Sequence, residues 1–201
     1  MPVSSNVRPH RPLSGVRPVP KTRPCALLAK PVSHSAIVAD YLRRNAPRLA
    51  AELTWFAQRQ SNTAALARVT AAKDMNGKRL SHQWRLLRNV SPLAFSALSA
   101  ILPRLMHMRD FANLHCEIDQ AMRHIHGCGP LFIYDTALRF GAFRKFLPEE
   151  VYIHAGAAAG ARRVLRRTPK PTEPVSAFPP AFGALPAHEL ENLLCCYREC
   201  L

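Results

Sequence analysis

Apolar residues return every three or four positions along most of this chain, and runs that alternate strictly between apolar and polar are missing. Leu114, Ile118, Met122 and Ile125 form one such series. That spacing keeps side chains on one face of a helix and scatters them on a strand. A 201-residue chain patterned this way folds by packing helices, and 48% hydrophobic residues supply the core. The reading is all-α: a single multi-helix domain over residues 34–166, preceded by a basic arm and followed by a proline-rich strap and a C-terminal helix over 167–201.

Helix boundaries follow from local chemistry. Ala36, Ile37, Val38, Tyr41 and Leu42 mark a first helix, broken at Asn45-Ala46-Pro47 because proline disfavours helix in the residue before it. Leu49, Leu53, Trp55 and Phe56 carry a second. Ser61 or Asn62 caps a third, with Leu66 and Val69 inward. Asp74-Met75-Asn76-Gly77-Lys78 reads as a loop between helices, not as a hairpin. Ser91-Pro92 reads as a cap with proline at the first helical position, and Pro103 as a kink or stop. Asp110 caps the next helix. Ile133, Ala137, Leu138 and Phe140 or Gly141 form the inward face of the one after it. Val151 to His154 is a short segment before a small-residue helix from Ala155 to Leu165, in which Gly156 and Gly160 permit close packing on a neighbour. Leu190, Leu193 and Leu194 are the apolar side of a last helix.

Charge narrows the partners. Twenty-eight Lys and Arg against thirteen Asp and Glu give +15 and a pI near 10.5, which suits an anionic partner, nucleic acid before membrane. Residues 1–33 hold seven prolines, six cations and no acid, the composition of a disordered basic arm. No apolar run approaches the roughly 18 residues of a membrane span, and no secretory leader is present, so a cytoplasmic chain with its six cysteines as reduced thiols is expected. Arg162, Arg163, Arg166, Arg167 and Lys170 make a dense cationic run. Lys78, Arg79, Arg85 and Arg88 make another beside Trp84.

Between two helical stretches stands Ile125-His126-Gly127-Cys128-Gly129-Pro130. Two glycines let a turn approach a phosphate closely, with backbone N–H groups pointing at it from the start of the next helix. This segment resembles the turn of a helix-hairpin-helix element, spanning residues 110–145. Together with Val151-Tyr152-Ile153-His154 and the arginines beyond, residues 110 to 166 resemble the endonuclease III-like DNA glycosylases. The stretch is also similar to bacterial chains without an assigned function. The resemblance implies a helical scaffold that binds DNA. It also marks the departures: the positions of the family's catalytic lysine and aspartate are Leu131 and Tyr152 here, and a phenol with a pKa near 10 cannot replace a carboxylate. Its four-cysteine cluster is absent as well.

The expected function is therefore non-enzymatic binding of nucleic acid, double-stranded DNA first, through phosphate contacts without sequence preference. Gly127, Cys128 and Gly129 donate backbone N–H groups. Lys145, Arg162, Arg163, Arg166 and Arg167 neutralise phosphates. The alternatives are a nucleic-acid-processing enzyme with Asp135, His154 and Tyr152 around a cleft, and a helical protein-interaction module. A buried Asp135 needs a partner, either a histidine or an arginine. His124 and His126 with Cys116 and Cys128 lack zinc-site spacing, so no metal or cofactor is expected. Arg198 is placed to lower a thiol pKa among Cys195, Cys196 and Cys200.

Overall fold

The computed structural model describes residues 32–58, 60–80, 83 and 88–201. The arm before residue 32, Trp84 and Arg85 lie outside the described residues. Within them the fold is all-α, with one two-stranded ladder: α1 (His34–Arg44), α2 (Ala46–Phe56), α3 (Asn62–Thr70), α4 (Val90–Ala100), α5 (Leu102–His107), α6 (Phe111–Met122), α7 (Pro130–Arg144), β1 (Glu150–Tyr152), α8 (Ala155–Leu165), β2 (Thr172–Pro174) and α9 (Ala187–Cys196). β1 and β2 run antiparallel, with Val151 opposite Glu173 and Tyr152 opposite Thr172.

Most boundaries come from local chemistry. Ser61 Oγ accepts from the Ala64 amide at 3.2 Å and Asp110 Oδ1 from the Asn113 amide at 2.8 Å, so each caps its helix. The chain breaks at Ile101, with Pro103 in the first turn of α5. At Ser91 the expectation fails. α4 already begins at Val90 behind Asn89, which leaves Ser91 inside the first turn and Pro92 where its missing N–H costs nothing. The loop expected at Asp74–Lys78 also needs correction. Gly77 adopts φ +73°, and an isolated antiparallel bridge joins Lys73 to Arg79, so a tight hairpin-like turn closes there.

Two cores divide the interior. The first gathers α2 to α7 around Phe56, Leu66, Leu98, Leu114, Ile118 and Phe140. The second unites Ile37, Val38 and Tyr41 of α1, Val151 of β1, Ala157 and Ala161 of α8, and Phe178, Phe182, Leu190, Leu193, Leu194 and Tyr197 near the C-terminus. It therefore draws on residues either side of 166. α8 lies on α9 so closely that a Cβ on Gly160 would stand 2.2 Å from the Leu194 carbonyl oxygen.

α7 differs from the one-sided helix its pattern suggests. Every residue from Phe132 to Ala142 is buried, because both faces are covered. Its charged residues are compensated within the fold. Arg139, 2% exposed, donates through Nε to Glu52 at 2.9 Å, lies 3.6 Å from Asp135, and stands over the Phe56 ring at 5.3 Å. Gln83 donates to Asp135 from the other side. Asp135 thus meets an arginine. At the other core, Asp40 accepts from Arg43, Arg44 and, at 2.9 Å, the Tyr197 hydroxyl. Burial opposes its charge, yet these three donors hold its carboxyl below the usual value.

Candidate functional site

The α6–α7 connection is exposed at its tip. Met122 and Ile125 carbonyls accept from the Ile125 and Cys128 amides, each at 2.9 Å, and Gly127 takes φ +85°, a conformation glycine adopts without strain. Gly129 occupies the N-cap of α7 and Pro130 its first position. The Cys128 amide is therefore committed to the turn and is not a phosphate donor, which corrects that expectation. The Gly127 and Gly129 amides have no acceptor among the described residues. A Cβ on Gly129 would meet nothing within 4 Å, so open space lies before this glycine.

The cations expected to act beside the turn are spread out. Lys145 caps the far end of α7 with φ +66°, about 22 Å along the axis from Pro130 at 1.5 Å per residue. Arg162, Arg163, Arg166 and Arg167 gather at the C-terminal end of α8. Two of these serve the fold. Arg167 grips Glu173 through two hydrogen bonds of 2.6 and 2.8 Å, and Arg163 donates to the Arg198 carbonyl and lies 3.5 Å from Glu199. Arg162 and Arg166 are exposed, and neither has an acid partner among the described residues.

Glu173 is 2% exposed and also accepts from the Lys170 amide. The Arg167 guanidinium and that amide pull its carboxyl down to about 2. Because the folded value lies below the unfolded one near 4.5, the stabilisation is complete above about pH 4.5 and is lost as pH falls through 2. The resistance of the wild type to urea should fall across that window by an amount on the order of 1–2 kcal/mol, Arg167 being half in solvent. Glu173→Gln should start less stable at neutral pH and show a flatter acid limb. Parallel acid limbs for the two proteins would refute this role.

A cleft of about 310 Å³ opens on the other side of Pro130, lined by His115, Tyr134, Tyr152, Ile153, His154, Pro171 and Thr172. Tyr134 and Tyr152 stack at 5.5 Å between ring centres. His115 touches Tyr152 at 4.6 Å, and His154 touches Tyr134 at 4.9 Å. Behind the wall, His154 Nε2 lies 3.2 Å from the Glu191 carboxylate of α9, both groups being buried. Burial, with the charge of Asp135, pushes the Glu191 carboxyl well above its usual range. Burial lowers the His115 pKa against the pull of Asp119 and raises that of Tyr152 to about 12. His154 and Tyr152 therefore share this cleft as expected, while Asp135 is engaged by Arg139 and Gln83.

Three participants were not anticipated from the sequence: His115, Tyr134 and Glu191. Glu191 had a readable signal. Ala187, Glu191 and Leu194 stand at i, i+4 and i+7, so an acid occupies the apolar stripe of α9.

Cysteine chemistry departs from expectation. Cys116, Cys128, Cys195 and Cys196 are free thiols, but Cys200 is disulfide-bonded, so the chain is not reduced throughout. Burial pushes Cys128 up to about 11 and Cys195 up to about 12. At Cys195 it outweighs the favourable charge of Arg198, leaving that sulfur a protonated thiol at neutral pH. No cluster of metal-ligating side chains occurs among the described residues, and no helix among them is long and apolar enough to cross a membrane.

Comparison with protein-family models, with curated proteins and with solved structures finds no match for the chain. Fold and surface chemistry define its class: a basic, all-α protein with an exposed glycine turn beside an aromatic cleft.

Proposed function

We propose that this is a non-enzymatic nucleic-acid-binding protein that holds double-stranded DNA by its phosphate backbone, without sequence preference. The observation that carries the reading is the surplus of exposed cations. Eight of the thirteen acids are engaged: Asp40, Glu52, Asp135 and Glu173 by arginines, Asp110 by a helix end, and Glu117, Asp119 and Glu199 by arginines on the surface. Of the remaining acids Glu149 and Glu150 are exposed, against nine exposed cations: Arg48, Lys73, Lys78, Arg88, Arg109, Lys145, Arg162, Arg166 and Lys170. Polyanions bind such surfaces by releasing counterions. The α6–α7 turn, read as the hairpin of a helix-hairpin-helix element, adds the Gly127 and Gly129 amides, and Leu131 and Tyr152 stand where glycosylase chemistry would need other groups. A cytoplasmic setting suits the four free thiols, while the disulfide at Cys200 fits it less well.

The test is binding of the nuclease-treated chain to a short labelled duplex across a salt series. Affinity should fall linearly on a double logarithmic plot, and Arg162→Ala with Arg166→Ala should lower the slope by about one for each phosphate no longer neutralised. Gly129→Val should fold normally, since nothing crowds that position, and weaken binding about fivefold by blocking approach to the turn, a loss near 1 kcal/mol. A salt-independent affinity, or no binding at low salt, refutes the proposal.

A nucleic-acid-processing activity is the second reading, supported by His154 and Tyr152 sharing one cleft. Nuclease or base-release assays in which His154→Ala retains wild-type turnover would count against it.

A further inference from the structure

We propose that the protein's own N-terminal arm docks through its segment Arg17 to Pro24 in the cleft between the start of α6 and β1, prolines on the aromatic wall and arginines at the acidic rim. This goes beyond the nucleic-acid reading and does not depend on it.

The cleft holds about 340 Å³, at the small end of ligand clefts, which suits a short extended segment. Its apolar wall is aromatic: the rings of Phe111, Phe146 and Tyr152 line it, with Phe111 edge-on to Tyr152 at 5.2 Å. Strand alternation supplies part of this wall. Val151 belongs to the second core, while Glu150 and Tyr152 on either side of it both line the cleft. The rim is acidic. Asp110, Glu149 and Glu150 line the cleft together with one cation, Arg109, a local reversal of sign in a chain of +15. Asp110 is committed to the cap of α6. Glu149 and Glu150 are exposed and take part in no ion pair among the described residues. Burial, and then the charges of Glu150 and Asp110, push the Tyr152 phenol up to about 12, so this ring stands in the field of the rim.

The arm carries the complementary pattern. Of its six cations, Arg8, Arg11, Arg17, Arg23 and Lys30 are each followed directly by proline. Proline fixes its own φ and holds the residue before it extended, so an Arg-Pro pair reaches the cleft already shaped for docking. Proline rings pack into aromatic-lined grooves, and the neighbouring arginine is left for a carboxylate. No acid precedes Asp40, so nothing within the arm competes for those arginines. Reach is sufficient. The described residues begin at Val32, packed against the second core that also holds Val151. Arg23 stands nine positions and Arg17 fifteen positions before Val32. These are spans of about 28 and 46 Å at roughly 3.1 Å per extended residue, against a radius of gyration of about 15 Å for a domain of this size. The tether raises the local concentration of the molecule's own arm far above that of a second copy's, and copies of +15 repel one another.

The test is NMR on the full chain. The expected result is NOEs from the Pro18 or Pro24 ring protons to the Phe146 or Tyr152 ring. They should persist on tenfold dilution and be absent between labelled and unlabelled copies. Glu149→Gln with Glu150→Gln, both at exposed positions, should leave thermal stability unchanged and weaken these NOEs. The same variant should be cut by trypsin after Lys21 about fivefold faster than wild type, because cleavage reads the undocked fraction. The proposal is overturned if no such NOE forms, or if the NOEs survive the glutamate substitutions undiminished. Equal rates of cleavage after Lys21 in wild type and variant overturn it as well. NOEs seen only between labelled and unlabelled copies overturn it too, by assigning the cleft to a second copy's arm.

Discussion

Gly160→Ala should destabilise the protein by about 3 kcal/mol or more, although alanine is the better helix former by roughly 1 kcal/mol. The added Cβ would lie 2.2 Å from the Leu194 carbonyl oxygen and 2.9 Å from its carbon. Both are backbone atoms of α9 and cannot rotate aside, so α8 and α9 must separate. Their interface holds Ala157, Ala161, Leu190 and Leu194, all buried in the second core. Overpacking of this kind typically costs about 1–3 kcal/mol, and more against backbone. Against a total stability of roughly 5–15 kcal/mol, the loss is large. Gly156→Ala is the internal comparison. Its Cβ would meet the Cys195 sulfur at 2.5 Å, a side-chain atom that can turn away, so a loss of about 1 kcal/mol is expected. Urea unfolding followed by circular dichroism measures both. Equal stability of Gly160→Ala and wild type would show that the helices are not in this contact.

Arg139→Ala should cost about 3–5 kcal/mol, the range for removing one partner of a buried ion pair. The guanidinium faces Glu52 and Asp135 and covers the Phe56 ring. Its loss strands a carboxylate in the core and leaves a space the size of a long side chain. Replacing the charges together should recover part of the loss: Arg139→Met combined with Asp135→Leu removes the stranded acid and refills the volume, and buried pairs replaced by apolar residues are often no less stable. A loss below about 1 kcal/mol for Arg139→Ala, or a double variant less stable than the single, would refute this account of α7.

How much of this was legible in the sequence depended on range. Where the information lies within four residues, the reading was close. Ser61 and Asp110 cap as their chemistry demands, Pro103 breaks its helix, and α8 runs over Ala155–Leu165. Two short-range readings failed. α4 begins one residue before Ser91, behind an Asn89 that makes no side-chain capping bond, and Lys73 and Arg79 pair across a turn read as a loop between helices. α7 misled for another reason. A helix covered on both sides needs no single apolar face, so the search for an inward stripe could not describe Phe132 to Ala142.

For the candidate site the division was sharper. The glycine turn and the cationic excess were plain in the amino acids, but their grouping was not. Arg167 and Arg163 read as phosphate ligands because their carboxylates could not be assigned from sequence, and Lys145 read as a neighbour of the turn because chain distance conceals the length of a helix.

By itself the sequence determined that this protein is helical, where most of its helices start and stop, and that it presents an excess of positive charge. Those properties rest on local periodicity, capping groups and a sum over residues. Tertiary structure alone decided which charges are spent and which remain. Arg139 meets Glu52 across 87 positions and Tyr197 meets Asp40 across 157, and the cleft exists only because α7, α8 and the β1–β2 ladder converge. Packing of distant elements sets those pairings, because an ion pair or a buried hydroxyl answers to distance in space and not to order along the chain.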